Sequence, residues 1–483
     1  MTKDSFLERT VGQPLGELTQ LTSEQRAGVV RGKIHDLHFF FDEGRSIAER
    51  AAPPKTRQLA QSLFEALTFT GHEPPAGLAE RIITDDLLRR EADRDQNVYL
   101  GPLFTRRLTR AVPDLVFQPA SANECSVALA WARRFGVPIT LRGAASTAMG
   151  GAVPNDGGLT LDLSRLETVE IDAAGRVAVI GAGARLRTIH QTLAQRGLAL
   201  SAYPSNLGGT LVGWFVTGGI GLNAFARGRA LDTVRAADVL LPGGEHLRFH
   251  DDGRLDVPED RHRRTLPADE AARWFESNGY APLTLADLAG SEGALGLVLQ
   301  VSVKIEPRPA IGAFLLSFES EARALEAAAW IERDATRGFG TPANVKLFSA
   351  SHLRHVRAVW ADEATKAWRA QPSAMSTGER MLPWTRIVGP AELGAPISRE
   401  QDHGGAYLFV DFLDLDAARA FARGVVAAPG APQVLEDESV RIAAERFKPQ
   451  QSPHSCRGRR RSRRPRATLS MPKPTSWPTA RRS

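Results

Sequence analysis

The sequence has only two cysteines, Cys125 and Cys456, in 483 residues. Two thiols cannot build a disulfide framework, a four-cysteine zinc site or an iron–sulfur cluster unaided. No run of 18 apolar residues occurs, so no membrane-spanning helix is expected. The start, Met1 to Arg9, carries acids and lacks the basic-then-apolar order of a signal peptide. A cytoplasmic location is the expectation. A G-x-x-x-x-G-K-S/T phosphate loop is also missing, which excludes a Walker-type nucleotide site.

The end of the chain is strongly basic and has no acidic residues. Residues 452–483 carry nine Arg, one Lys and five Pro but no Asp or Glu. The formal charge of +6 belongs to this tail. Without it, 51 basic residues face 55 acidic ones, a net charge of −4. The body therefore gives no reason to expect nucleic-acid binding. The tail cannot bury enough apolar surface to fold. Its abrupt composition fits either a natural disordered segment or an out-of-frame reading.

At 42% hydrophobic and 24% charged, the whole chain has material for more than one core. Residues 1–111 read as a helical region. Ala27, Val30, Ile34, Leu37 and Phe41 form a stripe at helical spacing, Leu59, Leu63 and Leu67 repeat at i, i+4, and a third helix is expected over 77–94. From Val112 short β runs alternate with helices. Ser121 and Glu124 give a capping signal for a helix that stops at Gly136, followed by a strand at 137–141. Strands are expected at 159–163 and 177–180, and a helix at 186–195. Over 308–451 a strand at 313–318 leads into a helix at 321–334. The order recurs with 407–412 and 416–426, which predicts a ferredoxin-like α+β layer.

Residues 204–228 contain seven glycines in 25 positions, where the chain average predicts about two. Glycine lets backbone amides approach a ligand closely, and successive amides can bind a diphosphate with no cationic side chain. Rossmann fingerprints fit less well. Gly181-Ala-Gly183-Ala-Arg-Leu186 lacks the third glycine, and Gly219-Ile-Gly221-Leu-Asn-Ala224 matches only the looser form. NAD binding is the secondary reading.

Three blocks together resemble the flavin-binding domain of the FAD-linked oxidase family, the p-cresol methylhydroxylase and vanillyl-alcohol oxidase type. The first runs Pro138-Ile-Thr-Leu-Arg-Gly143-Ala-Ala-Ser-Thr-Ala-Met-Gly-Gly151-Ala-Val-Pro154, with Gly157-Gly158-Leu-Thr-Leu-Asp-Leu163 behind it. The second is Thr210 to Gly228, with Asp232-Thr-Val234 and Val239 to Glu245. The third is Leu288-Ala-Gly-Ser-Glu-Gly-Ala-Leu-Gly296. The resemblance covers 112–306 and is nearest to glycolate oxidase and D-lactate dehydrogenase flavoproteins.

It implies an α+β chain in four parts: an N-terminal helical region (1–111), a two-subdomain FAD-binding domain (112–307), an incomplete substrate cap (308–451) and the tail. It also implies site residues. Arg142, Gly143, Ala144, Ala145, Ser146, Thr147, Gly150 and Gly151 would cradle the diphosphate. Pro204, Ser205, Thr210, Gly213, Gly218 and Gly221 would line the flavin side. Ser291, Glu292, Gly293 and Gly296 would close the pocket.

Ala145 and Val212 stand where the family usually has glycine, so a crowded cofactor loop is expected. No His or Cys stands at the usual attachment place, which implies non-covalent FAD. The implied reaction is oxidation of a small hydroxy acid or alcohol at a CH–OH group, with oxygen, a quinone or another protein as acceptor. The family's metal-binding histidine motif is not recognisable, and no metal is expected; His403-Gly404-Gly405 is not that motif. A flavin-binding but inactive truncated homologue is the alternative. No catalytic base is assigned. His352 and His355, three apart, and Arg354 and Arg357 are candidates for substrate contact, with surface roles the plainer reading. His190, His246 and Cys125 read as structural, and Glu292 as an organiser of backbone.

Overall fold

The computed structural model describes residues 52–69, 75–93, 95, 112–147, 149–259, 262–334, 338–354, 387–397, 404–430, 432–437 and 440. The expected stripe from Ala27 to Phe41 and the basic tail lie outside the described residues, as do Cys456, His355, Arg357 and His403. Helix α1 (Pro54–Thr68) carries the Leu59–Leu63–Leu67 face, with Leu63 fully buried.

The helix expected over 77–94 is broken. Leu78–Arg81 makes one turn, Ile82–Ile83 forms strand β1, and Asp86–Glu91 turns again. The two isoleucines pair antiparallel with Val116 and Phe117 of β2 (Leu115–Phe117). Cross-strand pairing of β-branched residues here outweighs the local helical period.

Helix α2 (Ala122–Phe135) keeps its expected ends. Ser121 Oγ accepts from the Glu124 amide at 3.2 Å, and Gly136 ends it at φ 61°. The Glu124 carboxylate, however, does not close a capping box. It accepts from the amide of Ala120 and forms a buried ion pair with Arg81, Nη2 to Oε1 at 2.7 Å. This pair ties the segment before β1 to the start of α2.

Three sheets follow. The first joins β1, β2, β4 (Leu159–Asp162) and β3 (Ile139–Arg142), with β2 and β3 both parallel to β4. The second is antiparallel. It contains β5 (Val169–Asp172), β6 (Val177–Gly181), β8 (Val234–Leu240), β9 (His246–His250), β10 (Leu255–Glu259), β11 (His262–Leu266) and the long β12 (Leu297–Pro307). Strand β7 (Leu198–Leu200) pairs with the far end of β12. Helices α3 (Leu186–Ala194) and α4 (Leu211–Val216) cover this sheet, α5 (Ala224–Arg227) follows, and α6 (Ala268–Ser277) packs beside β11. One continuous core runs through both sheets.

The third sheet has its own cores. It comprises β13 (Ile311–Phe318), β14 (Asn344–Ser349), β15 (Ile387–Val388), β16 (Ala406–Phe412) and β17 (Gln433–Val434), with α7 (Glu321–Asp334) and α8 (Leu415–Gly424). The order β14–β16–β13–β17 with two β-then-α units is the expected ferredoxin-like arrangement. Alternation sorts each strand. Leu408, Val410 and Phe412 meet the helices, while Tyr407, Phe409 and Asp411 face the opposite side.

Candidate cofactor site

Loop 143–151 leaves the carboxyl end of β3, a strand of the parallel sheet. This is the end at which open α/β sheets present ligands. Arg142, the last residue of the strand, donates from Nη1 to the carbonyl of Ala152 at 3.2 Å and so fastens the far end of the loop. Beside it, Asp162 is buried at the end of β4 and accepts from Gln118 at 2.7 Å. Burial pushes its carboxyl above the ordinary range, against the pull of Gln118 and Arg142.

The three glycine loops meet pairwise. Loop 143–151 touches the second loop at two places. A Cβ built on Gly143 would stand 2.9 Å from Thr210 Oγ1, and one built on Gly209 would stand 2.9 Å from Ser146 Oγ. Asn206 Nδ2 also donates to the Ser146 carbonyl at 3.3 Å. Loop 143–151 touches the third loop where a Cβ on Gly151 would stand 3.0 Å from Glu292 Oε2. The second and third loops join through the Glu292 amide, which donates to the Val216 carbonyl at 2.9 Å, and through the approach of Gly218 to Gly290. Residues more than 140 positions apart in sequence thus enclose one place.

The settings of the expected site residues differ. Thr210 caps α4 by accepting from the Gly213 amide at 3.2 Å, so that amide is engaged inward. Thr147 Oγ1 accepts from the Met149 amide at 3.3 Å. Ser291 Oγ donates to the Leu288 carbonyl at 2.9 Å, and Gly293 packs on Leu141 of β3. Gly221 lies against the Tyr203 carbonyl, only 2.2 Å from where a Cβ would be, so a side chain there would part the two arms of the second loop. Ala144 and Pro204 are half-buried and Ser205 is exposed. The side chain that reaches from this segment to the first loop is that of Asn206. Gly296 lies against the Leu240 carbonyl, on the β8 side of the third loop.

Two expectations about crowding and backbone take concrete form. Ala145 is buried and held at φ 47°, a region that disfavours a side chain. Glu292 is exposed at φ 51°, and its role in the described contacts is to join loops. Val212 is buried in the first turn of α4.

The first loop takes an anionic oxygen. The Gly150 amide donates to Asp95 Oδ2 at 2.7 Å. A carboxylate therefore already occupies one amide of a loop whose composition suits a diphosphate. No motif in the sequence marks Asp95 for this contact.

A family model described as an FAD binding domain matches residues 113–250, the stretch that supplies the first two loops. Residues 113–250 thus form an FAD-binding domain. The chain is 32% identical over 197 residues to an uncharacterised FAD-linked oxidoreductase of Mycobacterium tuberculosis, covering 41% of this chain and 38% of that relative. It is 27% identical over 194 residues to D-lactate dehydrogenase of Archaeoglobus fulgidus (40% of this chain, 39% of the relative). It is 30% identical over 218 residues to the glycolate oxidase subunit GlcD of Escherichia coli (44% and 39%). The chain thus matches less than half the length of these relatives. A solved alkyldihydroxyacetonephosphate synthase shares the fold, with a TM-score of 0.57 at 17% identity over 86% of this chain and 66% of the other.

The Rossmann reading fails on topology. Gly219–Ala224 follows helix α4 rather than a strand and enters a helix of only four residues. Gly181–Leu186 does join β6 to α3, but β6 is antiparallel to both neighbours, so no parallel βαβ unit forms.

The remaining candidates have other settings. His352 is exposed on a short helical turn at 350–354, with its ring 6.0 Å from that of Phe348. His355 and Arg357 are outside the described residues, so the expected shared face cannot be drawn; Arg354 is exposed. Among the described residues no group of three or more His, Cys, Asp or Glu side chains could hold a metal ion. None of the helices among them is long and apolar enough to cross a membrane. Cys125 is buried, and burial pushes its thiol up to about 12. His190 packs edge-on to Tyr203 at 4.4 Å, and burial lowers its pKa to about 4. His246 stands 3.7 Å from Asp238, lowered by burial and by Arg263.

Proposed function

We propose that this chain is an FAD-dependent oxidoreductase that oxidises a small hydroxy acid or alcohol by hydride transfer to non-covalently bound flavin. The observation that carries the reading is the pairwise meeting of the three glycine loops at the carboxyl end of β3. The residues fit the group: the loops offer backbone amides and hydroxyls, and one amide already donates to a carboxylate.

In this reading the amides and hydroxyls of 143–147, 150 and 151 hold the diphosphate, and Arg142 keeps the loop closed through Ala152. Asp95 now occupies the Gly150 amide that the diphosphate would need. The segment from Pro204 to Gly221 lines the flavin side. Ser291, Glu292, Gly293 and Gly296 would close the pocket, with the Glu292 amide fixing the third loop to Val216 of α4. Bound FAD supplies a hydride acceptor at its N5. The chain's part is to orient the substrate carbon, exclude water and take the hydroxyl proton. The dehydrogenase and oxidase names of the relatives support a 2-hydroxy acid as substrate class.

Anaerobic addition of D-lactate, glycolate and longer 2-hydroxy acids to the FAD-loaded protein tests the reading. Bleaching of the visible flavin absorbance by one of them is expected. FAD bound without bleaching by any hydroxy acid or alcohol would favour the inactive-homologue alternative.

A further inference from the structure

The second glycine loop does not end freely. Two residues beyond Gly221, Asn223 sits at φ 65° with 6% of its surface exposed. Asparagine tolerates this backbone because its short polar side chain can bond locally, and its Nδ2 donates to the Ser201 carbonyl at 3.0 Å. That bond draws the two arms of the loop together beside the Tyr203–Leu222 bridge.

The Asn223 amide leaves the FAD-binding domain altogether. It donates to Oδ1 of Asn344 on β14 at 3.0 Å, and Asn344 Nδ2 returns a bond to Asn223 Oδ1 at 3.3 Å. The same Nδ2 group donates to both carboxylate oxygens of Asp411, at 2.8 and 3.1 Å. Asp411 is the register partner of Asn344 on β16, and its carbonyl accepts from the Ala343 amide at 2.7 Å. Asn344 and Asp411 are as buried as Asn223.

An apolar contact would join the two domains equally well and would spare the desolvation of three polar side chains. What hydrogen bonds add is direction: they fix one register where apolar surfaces slide. We infer that Asn344 is a positioning residue, through which the C-terminal sheet sets the conformation of Asn223 and hence of the glycine segment 217–221. The inference rests on the reading that this segment lines the flavin. It makes the C-terminal sheet a determinant of flavin geometry as well as a cover for substrate.

Asp411 anchors the arrangement on the sheet side. It is enclosed by Asn344, by Lys346 on the same strand face and by Tyr203 from the loop, and burial is the chief influence on its carboxyl. Replacing Asn344 by Asp would press two carboxylates together in this enclosure. Adding Asp411→Asn would restore one acid and one amide with the donor reversed, leaving Asn223 with an acceptor for its amide.

The test compares wild type, Asn344→Ala, Asn344→Asp and the double variant Asn344→Asp/Asp411→Asn, each as the full chain. Hydrogen exchange of the Asn223 amide is read without FAD, and the flavin circular dichroism and absorbance bands are read with it. Asn344→Ala and Asn344→Asp are expected to exchange about tenfold faster or more at Asn223, as for loss of one buried hydrogen bond. They should also shift the flavin bands. The double variant should return both readouts toward wild type. Unchanged exchange in Asn344→Ala, or equal shifts in Asn344→Asp and the double variant, would overturn the inference. Failure of wild type to bind FAD would instead count against the flavin reading, while the exchange comparison still decides the link to Asn344.

Discussion

Replacing Gly143 by Ala probes the contact between the first two loops. A Cβ there would stand 2.9 Å from Thr210 Oγ1 and 3.7 Å from its Cγ2. The backbone of Gly143 is not among the left-handed positions, so alanine is conformationally acceptable. The cost falls on the neighbour. Thr210 Oγ1 caps α4 through the Gly213 amide, and a displaced hydroxyl loses a cap worth about 1 kcal/mol, roughly fivefold in an equilibrium constant. Thr210→Ala alone should cost about the same. In the double variant the added methyl meets no hydroxyl, so its cost should resemble that of Thr210→Ala alone, giving a coupling of about 1 kcal/mol. Unfolded-state effects of Gly143→Ala are common to both backgrounds and cancel. Urea unfolding of the four proteins measures the cycle, and FAD titration shows whether the same coupling reaches the cofactor. Strict additivity, within about 0.5 kcal/mol, would refute contact between the loop and the cap.

Other expectations concern titration and reactivity. His190 is neutral when folded, with its pKa lowered by burial from 6.5 to about 4. Its contribution of about 3 kcal/mol is therefore present above pH 6.5 and lost as pH falls toward 4. Asp411 runs the other way. Burial raises it from 3.8 to about 6, so its contribution is present below 3.8 and lost as pH rises through 6. The two slopes oppose each other between pH 4 and 6. Relative to wild type, His190→Leu should gain about 3 kcal/mol between pH 7 and pH 4, read by denaturant unfolding; a difference independent of pH would contradict a buried neutral His190. Cys125, with its thiol at about 12, should resist iodoacetamide in the native chain and react on unfolding, as peptide mass mapping would show. Rapid native alkylation at Cys125 would contradict its burial.

What the sequence made legible was local. The ends of α2 follow from Ser121 and Gly136, and α7 begins and ends at Glu321 and Asp334 as its composition indicates. The ferredoxin-like layer was readable because two β-then-α units repeat. Strand β1 was not, because Ile82–Ile83 lies in a helical period and becomes a strand only by pairing with β2. The cofactor loops announced themselves by glycine density. Their mutual contacts did not, since Asn206 and Glu292 act across sequence distances that no period records. Asn223 and Asn344 are 121 positions apart, and a single loop asparagine carries no signal of its partner.

The central claim is that the three loops hold FAD without a covalent bond. Its most direct test is to purify the protein, supply FAD, remove the excess, and release the cofactor with acid. The account predicts a yellow protein that yields one FAD per chain in the soluble fraction. A chain that stays colourless when FAD is supplied, or flavin that remains in the acid precipitate, would contradict it.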